Sequence, residues 1–484
     1  MAVPILGRLN LRDYQALFIG WLLLFVEAIL RLVTFCLPLP VLEICKTESQ
    51  RIFSKFYKDE RTDPVKKLQK ANNFSEMAEF WEYPSEEHVV KTQDNYMLGV
   101  HRIPRGRSTP RSEGSPSIES IFKKRGIPVS AIRGTISGKT SDVRPVVLLY
   151  HGLMMCSEVW LCNLEDENRM ATLLADAGYD VWFGNARGNK YSMKHTQYSP
   201  NGTQFWNYCI DEFAMCDLPS LVDYILETTG APSLTYIGFS QGTATAFAAL
   251  SVSPQLNKKV NLFIALAPAT SPRGLHNIFV DAIIKASPNI VYLLFGRKAC
   301  LAVVLFWQKV LAPPIFTKIL DLAMSFLFGW KLDLITEAQK AVSYYHLYSC
   351  ASTKSLVHWF QIIRARNFQV YDELPAYSSY TSLGYCPSRF PTQQIATPIA
   401  VFYGGSDSLV DINVLTRQLP KCVLLKEVKK YEHIDFIWAA DVHKHVFPEL
   451  FDLLRVYNVD GAERDDIDVD ADYDRVYDPI MTKN

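Results

Sequence analysis

The chain has 484 residues, of which 49% are hydrophobic, so it can bury a large core as one elaborated α/β domain or as two or three domains. Its 50 basic and 50 acidic residues balance, which argues against nucleic acid as a partner. The 10 cysteines are scattered, without a CxxC pair or a zinc-binding spacing. We therefore expect mostly free, buried thiols, no disulfide framework and no metal site.

One long apolar segment dominates the N-terminal region. Residues 15–42 contain few polar side chains, among them Glu27 and Arg31, whose spacing lets them pair on one face of a helix. A bilayer span needs about 20 apolar residues, so the segment is long enough to cross a membrane. A single span, a hairpin that dips into one leaflet and a helix buried in a soluble core all fit this pattern. We expect residues 1–45 to form a membrane anchor.

Positive charge is denser after this segment than before it, at Lys46, Arg51, Lys55 and Lys58. The positive-inside rule then favours a cytosolic location for the domain that follows. Asn73 and Asn201 begin N-glycosylation sequons, which a cytosolic domain would leave unmodified.

The pattern after the anchor predicts a sheet. Residues 76–104 alternate like two strands around a polar turn at residues 92–95, and residues 105–144 are rich in Ser, Pro, Gly and Arg, as in a disordered surface insertion. Further on, apolar strands of the kind buried in parallel sheets alternate with helical segments. The strands with the clearest limits are expected at residues 146–152, 261–269 and 398–407. This order predicts an α/β fold with a mostly parallel, doubly wound sheet.

The alternation stops between residues 273 and 390, where the sequence is apolar and helical in character. The stretch is too long for a plain loop, and charges interrupt it too often for a membrane-span prediction, so we interpret it as an inserted helical cap. The cap divides the sheet domain into residues 76–272 and 391–457. The tail at residues 458–484 is acidic and is predicted to be disordered.

Residues 238–242, "GFSQG", fit the pattern G-x-S-x-G between a predicted strand and an Ala-rich predicted helix. At such an elbow Ser240 would take a strained backbone conformation, and small residues at Gly238 and Gly242 would let strand and helix approach. A serine hydroxyl becomes a nucleophile when a histidine removes its proton, and an acid must orient that histidine. The hypothesis therefore requires an acid and a histidine downstream.

Asp407 directly follows the strand "IAVFYGGS" and is the candidate acid, with Asp411 and Asp435 as competitors. Because the carboxyl ends of parallel strands share one edge of a sheet, we expect Asp407 to lie near Ser240. His433, in "YEHIDFIW", follows the acid-bearing strand and is the candidate base.

The same site has further candidate residues in the sequence. His443 and His445 lie on a later helical stretch, and His151 precedes the acid strand, so we expect His151 to support its loop and not to act as the base. An oxyanion hole needs two backbone N–H donors. Gln241, next after the serine, and Leu153, in the loop "YHGLMMC", are the candidates.

Longer motifs surround these residues: "HGL", "LADAGYDVWFGNARGNKYS", "FWNYCIDEFAMCDLP", "HWFQIIRARNFQVYD", "GGSDSLVD" and "YEHIDFIWAAD". Together they resemble the acid lipase family of α/β-hydrolases, which includes gastric and lysosomal lipases, over roughly residues 76–455. The stretches "SPRGLHNIFVDAI", "FGRKACL" and "PILGRLNLRDY" are more similar to its membrane-anchored fungal branch, the steryl ester hydrolases of lipid droplets or the plasma membrane.

The resemblance implies an α/β-hydrolase fold whose cap, residues 273–390, carries a lid. It implies that Ser240 is the nucleophile, Asp407 the acid and His433 the base. It further implies oxyanion N–H groups at Leu153 and Gln241 and no cofactor. The secreted relatives have a cleaved signal and a cap disulfide, whereas here we expect a retained leader and find no neighbouring cysteine pair in the cap.

The function predicted on this basis is hydrolysis of steryl esters through an acyl-enzyme, at a membrane or lipid droplet and with a cytosolic catalytic domain. The endoplasmic reticulum and the plasma membrane are the alternative locations. A triacylglycerol lipase of the same family and a non-catalytic protein that binds lipid surfaces are the alternative functions. The aromatic side chains of the cap either line a tunnel for the substrate or form the cap's own core: Phe295, Phe306, Trp307, Phe316, Phe326, Phe328 and Trp330.

Overall fold

A computed structural model of the protein describes residues 62–107, 144–272, 311–373 and 387–458, with isolated positions at 44, 47, 48, 51, 274, 291, 292, 295–300, 304, 305, 307 and 308. Nearly all of the expected anchor, most of the predicted insertion and the acidic tail lie outside these residues. Within this part of the chain, no helix is both long enough and apolar enough to cross a bilayer.

The strands of the structure are β1 (Glu86–Lys91), β2 (Tyr96–Ile103), β3 (Val146–Tyr150), β4 (Asp180–Gly184), β5 (Lys194–His195), β6 (Leu234–Phe239), β7 (Val260–Leu266), β8 (Ala299–Cys300), β9 (Ala351–Ser352), β10 (Ile399–Gly404) and β11 (Leu424–Val428). The main sheet has the order β1-β2-β4-β3-β6-β7-β10-β11, and β5 pairs with β2. Pairing is antiparallel from β1 to β4 and parallel across the rest. The predicted mostly parallel sheet is confirmed.

The register of the central strands brings their carboxyl ends to one level. Tyr150 pairs with Gly238, Phe239 with Leu266, and Leu266 with Phe402. Loops that leave β3, β6, β7 and β10 therefore begin at the same edge of the sheet, which is where ligands bind in parallel α/β folds.

The helices are α1 (Asp63–Lys70), α2 (Phe74–Phe80), α3 (Met170–Asp176), α4 (Ile210–Glu212), α5 (Leu218–Thr229), α6 (Gln241–Val252), α7 (Pro254–Lys259), α8 (Pro313–Phe328), α9 (Glu337–Leu347), α10 (Thr353–Ala365), α11 (Ile412–Gln418), α12 (Asp435–Trp438), α13 (Val442–His445) and α14 (Phe447–Tyr457). Single 3-10 turns lie at Ser157–Trp160, Asp166–Asn168, Gln204–Trp206 and Thr392–Gln394. A π-helical turn, Phe213–Asp217, joins α4 to α5. Gly230, at φ 70°, ends α5.

The core lies in two layers, one on each face of the sheet. Val147 and Leu149 of β3 belong to one apolar cluster, and the alternating residues Val146, Leu148 and Tyr150 belong to the other. All five side chains are buried, which explains why the strand is a continuous apolar run and does not alternate with polar residues.

In the segment predicted as a cap, the described helices are α8, α9 and α10. Helix α9 also contacts α1, where the Gln69 side-chain amide donates a 2.8 Å hydrogen bond to the Ala341 carbonyl. The cysteines in the described part of the chain are free thiols, as expected, although three of them are only partly buried: Cys156, Cys162, Cys209 and Cys300 are buried, and Cys216, Cys350 and Cys422 are intermediate.

Candidate active site

Ser240 occupies the sharp turn between β6 and α6. Its backbone has φ 52° and ψ −117°, a left-handed φ that is uncommon outside glycine and costs about 1–3 kcal/mol. The Ser240 N–H donates a 3.1 Å hydrogen bond to the Leu266 carbonyl at the end of β7, which fixes the turn against the neighbouring strand. The strained turn predicted from "GFSQG" is present.

The glycines on either side of Ser240 are needed because backbone comes too close for any side chain. A Cβ at Gly242 would lie 2.6 Å from the Tyr150 carbonyl oxygen, and one at Gly238 would lie 2.9 Å from the Gly242 carbonyl carbon. Helix α6 can therefore rest directly on the ends of β3 and β6, and this places Ser240 at the sheet edge.

The structure brings Ser240, His433 and Asp407 into one hydrogen-bonded line. His433 Nδ1 lies 2.7 Å from Asp407 Oδ2, and His433 Nε2 lies 2.6 Å from Ser240 Oγ. The buried Asp407 carboxylate also accepts a 2.9 Å bond from the Leu409 N–H. A carboxylate only accepts, so the proton of the neutral imidazole is assigned to Nδ1, and the Nε2 lone pair faces the serine hydroxyl. This arrangement can remove the hydroxyl proton.

The two competing acids are engaged elsewhere. Asp411 is the N-cap of α11, where its carboxylate accepts a 3.3 Å bond from the Val414 N–H. Asp435 accepts a 2.7 Å bond from the Glu432 N–H, and burial, helped by the nearby Glu432, raises the pKa of Asp435 to about 7.

The other histidines considered from the sequence have different partners. His443 Nδ1 lies 2.6 Å from Asn168 Oδ1, and His445 lies 3.3 Å from Asp441. His151 is buried; its Nδ1 donates to the Gly152 carbonyl at 2.8 Å, and its Nε2 accepts the Ala186 N–H at 3.1 Å.

Burial lowers the pKa of His151 to about 4, so the ring is neutral near pH 7 and holds its loop in place, as expected. That loop lies directly against the serine, because a Cβ at Gly152 would be 3.2 Å from Ser240 Cβ. The backbone N–H groups of Leu153 and Gln241 have no backbone acceptor within the described ranges. Both are thus available to an oxyanion, which is the role predicted for them.

Comparison with known proteins places this geometry in a family. A model described as a partial alpha/beta-hydrolase lipase region matches residues 74–164, and a model described as the alpha/beta hydrolase fold matches residues 145–298. "Probable lipase C1672.09" of Schizosaccharomyces pombe is 42% identical over 459 residues, which cover 94% of this chain and 93% of that protein. The gastric triacylglycerol lipase of Homo sapiens is 32% identical over 390 residues, 79% of this chain and 90% of that protein.

The chain belongs to the acid lipase family of α/β-hydrolases. The resemblance seen in the sequence is confirmed, and with it the α/β-hydrolase fold. In this acid lipase family member, several further residues around the site were not found from the sequence.

The residues that follow the acid and precede the base both hold the short segment at residues 328–332. Ser408, next to Asp407, donates a 2.8 Å bond to the Phe328 carbonyl. Glu432, next to His433, accepts bonds from the N–H groups of Lys331, at 2.8 Å, and Leu332, at 2.9 Å. We call residues 328–332 the cap strap, because they connect the end of α8 to the neighbours of Asp407 and His433 in the sequence.

Trp330 lies in the middle of the cap strap and covers the imidazole of His433. Its ring stacks on His433 with centroids 5.5 Å apart and planes 12° apart, and its indole N–H donates a 3.1 Å bond to Ser408 Oγ. Phe239 contacts the same imidazole at a centroid distance of 5.2 Å. Trp330 therefore packs against His433. The two roles considered from the sequence, lining a substrate tunnel and forming the cap's own core, did not include this contact.

A second contact reaches the serine turn from α10. The Trp359 indole N–H donates a 2.8 Å bond to the Gln241 side-chain oxygen, and both residues are buried. The Gln241 side chain thus joins the serine turn to α10, while its backbone N–H has no backbone acceptor within the described residues.

A group of residues with metal-ligand chemistry lies apart from Ser240. One ligand atom each of Cys209, Asp211 and His358 lies within 4.8 Å of the other two. The sequence predicted no metal site, because His358 is far from the other two residues along the chain and no short motif connects them.

Proposed function

We propose that this protein is a serine carboxylic ester hydrolase that cleaves steryl esters to sterol and fatty acid. The observation that carries the proposal is the relay from Ser240 through His433 to Asp407 on a strained serine turn. The relatives named as lipases support ester hydrolysis, and the resemblance to the fungal steryl ester hydrolases supports the sterol.

The geometry supports a two-step reaction. Ser240 Oγ attacks the ester carbonyl carbon while His433 Nε2 takes the hydroxyl proton and Asp407 stabilises the imidazolium. The negative charge that develops on the carbonyl oxygen is held by the N–H groups of Leu153 and Gln241. The carbon–oxygen bond to the alcohol breaks, and His433 returns the proton to the departing oxygen. Water, deprotonated by the same imidazole, then attacks the acyl-serine and releases the fatty acid and the free Ser240 hydroxyl.

The face of α8 that points to solvent supports an apolar substrate taken from a lipid phase. Ile319, Leu322 and Phe326 are exposed large apolar residues at helical spacing along one face, and Leu322 is 72% exposed. Because α8 leads into the cap strap, this apolar face and Trp330, which stacks on His433, belong to one continuous segment. We propose that this face and residues 1–45 hold the enzyme at a membrane or lipid droplet.

A triacylglycerol lipase is the second candidate, favoured by the gastric triacylglycerol lipases at 32–34% identity. A sterol ester and a glycerol ester present the same carbonyl to the same three residues, so rates on both substrates must be compared. Purified full-length protein is assayed side by side on cholesteryl oleate and triolein in the same mixed micelles. A clear preference for triolein would overturn the sterol assignment and leave the serine mechanism intact.

Ser240→Ala tests the mechanism itself. The variant should lose at least about 10⁴-fold of the activity on both esters, because the nucleophile is gone, and a fluorophosphonate probe should no longer label the protein. Ser251→Ala is the matched control, since Ser251 lies on the same helix and bonds only the Ala248 carbonyl among the described residues. Wild-type protein that fails to react with the probe would favour the non-catalytic lipid-binding alternative.

A further inference from the structure

A second histidine–aspartate pair joins the cap to the core, and it is incomplete. His358 of α10 and Asp211 of α4 place Nδ1 and Oδ1 4.0 Å apart, too far for a hydrogen bond. Both atoms are shielded from solvent and have no hydrogen-bond partner within the described residues. A buried polar atom without a partner costs about 1–3 kcal/mol, so native structures rarely retain two in contact.

The remaining hydrogen bonds of His358 and Asp211 show which kind of group would fit between His358 Nδ1 and Asp211 Oδ1. His358 Nε2 lies 2.8 Å from the Gln369 carbonyl oxygen, which only accepts, so Nε2 carries the proton. In the neutral ring Nδ1 then carries a lone pair and no proton. The second oxygen of Asp211 accepts a 2.9 Å bond from the Tyr371 N–H, which keeps Oδ1 turned toward the ring. Two acceptors therefore face each other, and a positive charge between them is required.

Cys209 supplies a third ligand atom at the same place. Its Sγ, His358 Nδ1 and an Asp211 oxygen all lie within 4.8 Å of one another, and Cys209 and His358 are completely buried. Zinc bonds of about 2.0–2.3 Å put tetrahedral ligands about 3.5 Å apart, so side-chain rotations of about an ångström would close the site. A dipositive ion with one thiolate and one carboxylate is neutral overall, which suits a buried position.

We propose that Cys209, Asp211 and His358 bind a divalent ion of the Zn²⁺ class, with water as a fourth ligand, and that the ion fastens α10 to the core. The histidine is already arranged as metal-binding histidines are, with its remote N–H on a backbone carbonyl. The Cys209 N–H donates a 2.6 Å bond to Glu212 Oε2, which holds the Cys209 backbone at the start of α4.

Lys354, one turn before His358, is the neighbouring cation. Its ammonium bonds Glu373 at 3.0 Å and lies 4.6 Å from the centre of the Tyr371 ring, and its positive charge also acts on Cys209 and Asp211. The ion would act at a distance on the serine turn, because Trp359, next to His358, donates its hydrogen bond to Gln241. A bound metal ion would thereby fix α10, which contacts the turn at Ser240, although the ion itself would not touch the reacting atoms.

Metal content and metal-dependent stability test the site without an ester assay. Full-length protein purified without chelators should retain about one zinc per chain, and added Zn²⁺ should raise the melting temperature of stripped protein by about 2–4 °C. Replacement with Co²⁺ should produce the near-ultraviolet charge-transfer band of a cobalt thiolate. Cys209→Ser should remove that band and lower zinc retention at least tenfold, and His358→Gln should also lower retention tenfold.

Cys162→Ser and His443→Gln are the matched controls, because each changes a buried residue of the same type outside the three ligands. Both should keep the metal. Wild-type protein that retains no zinc or other divalent ion, and whose melting temperature Zn²⁺ leaves unchanged, would overturn the proposal and assign a proton to the gap between His358 and Asp211. If His358→Gln fails to fold, Cys209→Ser, which changes one atom, decides the question.

Discussion

In the part of the chain that the structure describes, two histidine–aspartate pairs with a buried imidazole use that ring in opposite ways. In the first, His433 Nδ1 bonds Asp407 at 2.7 Å and Nε2 faces the Ser240 hydroxyl at 2.6 Å. In the second, His358 Nε2 bonds a carbonyl and Nδ1 faces Asp211 at 4.0 Å. A carboxylate on one nitrogen and a hydroxyl on the other create a path for a proton. A carbonyl on one nitrogen leaves a lone pair on the other, which can bind a metal ion or accept a proton.

The difference shows that residue types alone do not define a catalytic pair. Both imidazoles are buried, and both pairs connect segments that are far apart in the sequence. The two pairs differ in the partner of the second ring nitrogen. For His433 this partner is the partly exposed Ser240, and for His358 it is a carbonyl in the contact between α10 and the core.

The largest expected effect comes from changing the aspartate of each pair. Asp407→Asn should reduce kcat by about 10⁴-fold, because an amide N–H facing Nδ1 stabilises the wrong tautomer. Asp211→Asn should reduce kcat less than about tenfold and mainly lower the melting temperature. The measurements are steady-state kinetics on a water-soluble short-chain ester and thermal unfolding of both variants.

Asp435→Asn is the control for Asp407→Asn, since Asp435 was the competing acid and bonds the Glu432 N–H but not the imidazole. Its kcat should stay within a few-fold of wild type. Equal losses in the two variants would mean that charge near His433 matters and the specific bond from Asp407 does not.

An intermediate loss of kcat is expected from changes in the cap strap, which contacts the His433–Asp407 pair. Trp330→Ala removes the stack on His433 and the bond to Ser408, so kcat on a soluble ester should fall about tenfold with little change in KM. Trp330→Phe keeps an aromatic ring there and should restore most of the rate. Wild-type kcat in Trp330→Ala would show that the stack does not position the base.

Glu432→Gln weakens the hydrogen bonds that hold the backbone of the cap strap. The amide replaces one of the two oxygens that accept the Lys331 and Leu332 N–H groups, so a loss of kcat up to about tenfold is expected. Labelling by a small fluorophosphonate should slow in parallel, because that reaction needs the same base. A change confined to KM for large esters would instead assign the strap to substrate entry.

The smallest effect is a pH dependence of stability from Asp435. Burial raises its pKa to about 7 from the 3.8 of the free side chain. Between these values the unfolded chain loses the proton and the folded chain keeps it, so the stabilisation present below pH 3.8 is lost as pH rises toward about 7. Asp435→Asn removes this loss, so its melting temperature should rise relative to wild type between about pH 4 and pH 7.5. A constant difference between the two proteins across that range would contradict the expected direction.

The sequence predicted the sheet and the three relay residues because their signals are local. Ser240 lies in a short motif between a strand and a helix, and Asp407 and His433 follow apolar strands whose carboxyl ends must meet in a parallel sheet. These rules need no knowledge of how the cap is placed.

Trp330, Glu432 and His358 could not be found in the same way. Their contacts depend on where α8 and α10 settle on the core, and no periodicity in the sequence specifies that docking. Glu432 offered one indirect signal, a carboxylate next to the predicted base within an apolar stretch. The short strand β5 and the π-helical turn were missed because neither is long enough to produce a pattern.

The enclosure of His433 has a consequence for the design of inhibitors. Trp330 covers one face of the ring and Phe239 lies against it, whereas Ser240 is partly exposed. The lone pair of His433 Nε2 lies in the ring plane, where Ser240 Oγ stands 2.6 Å away, so reagents that alkylate imidazoles must first displace that hydroxyl, whereas boronic acids and phosphonates need only reach the serine oxygen. An aromatic substituent shaped to replace the Trp330 contact would distinguish this enzyme from serine hydrolases whose histidine lacks such a cover.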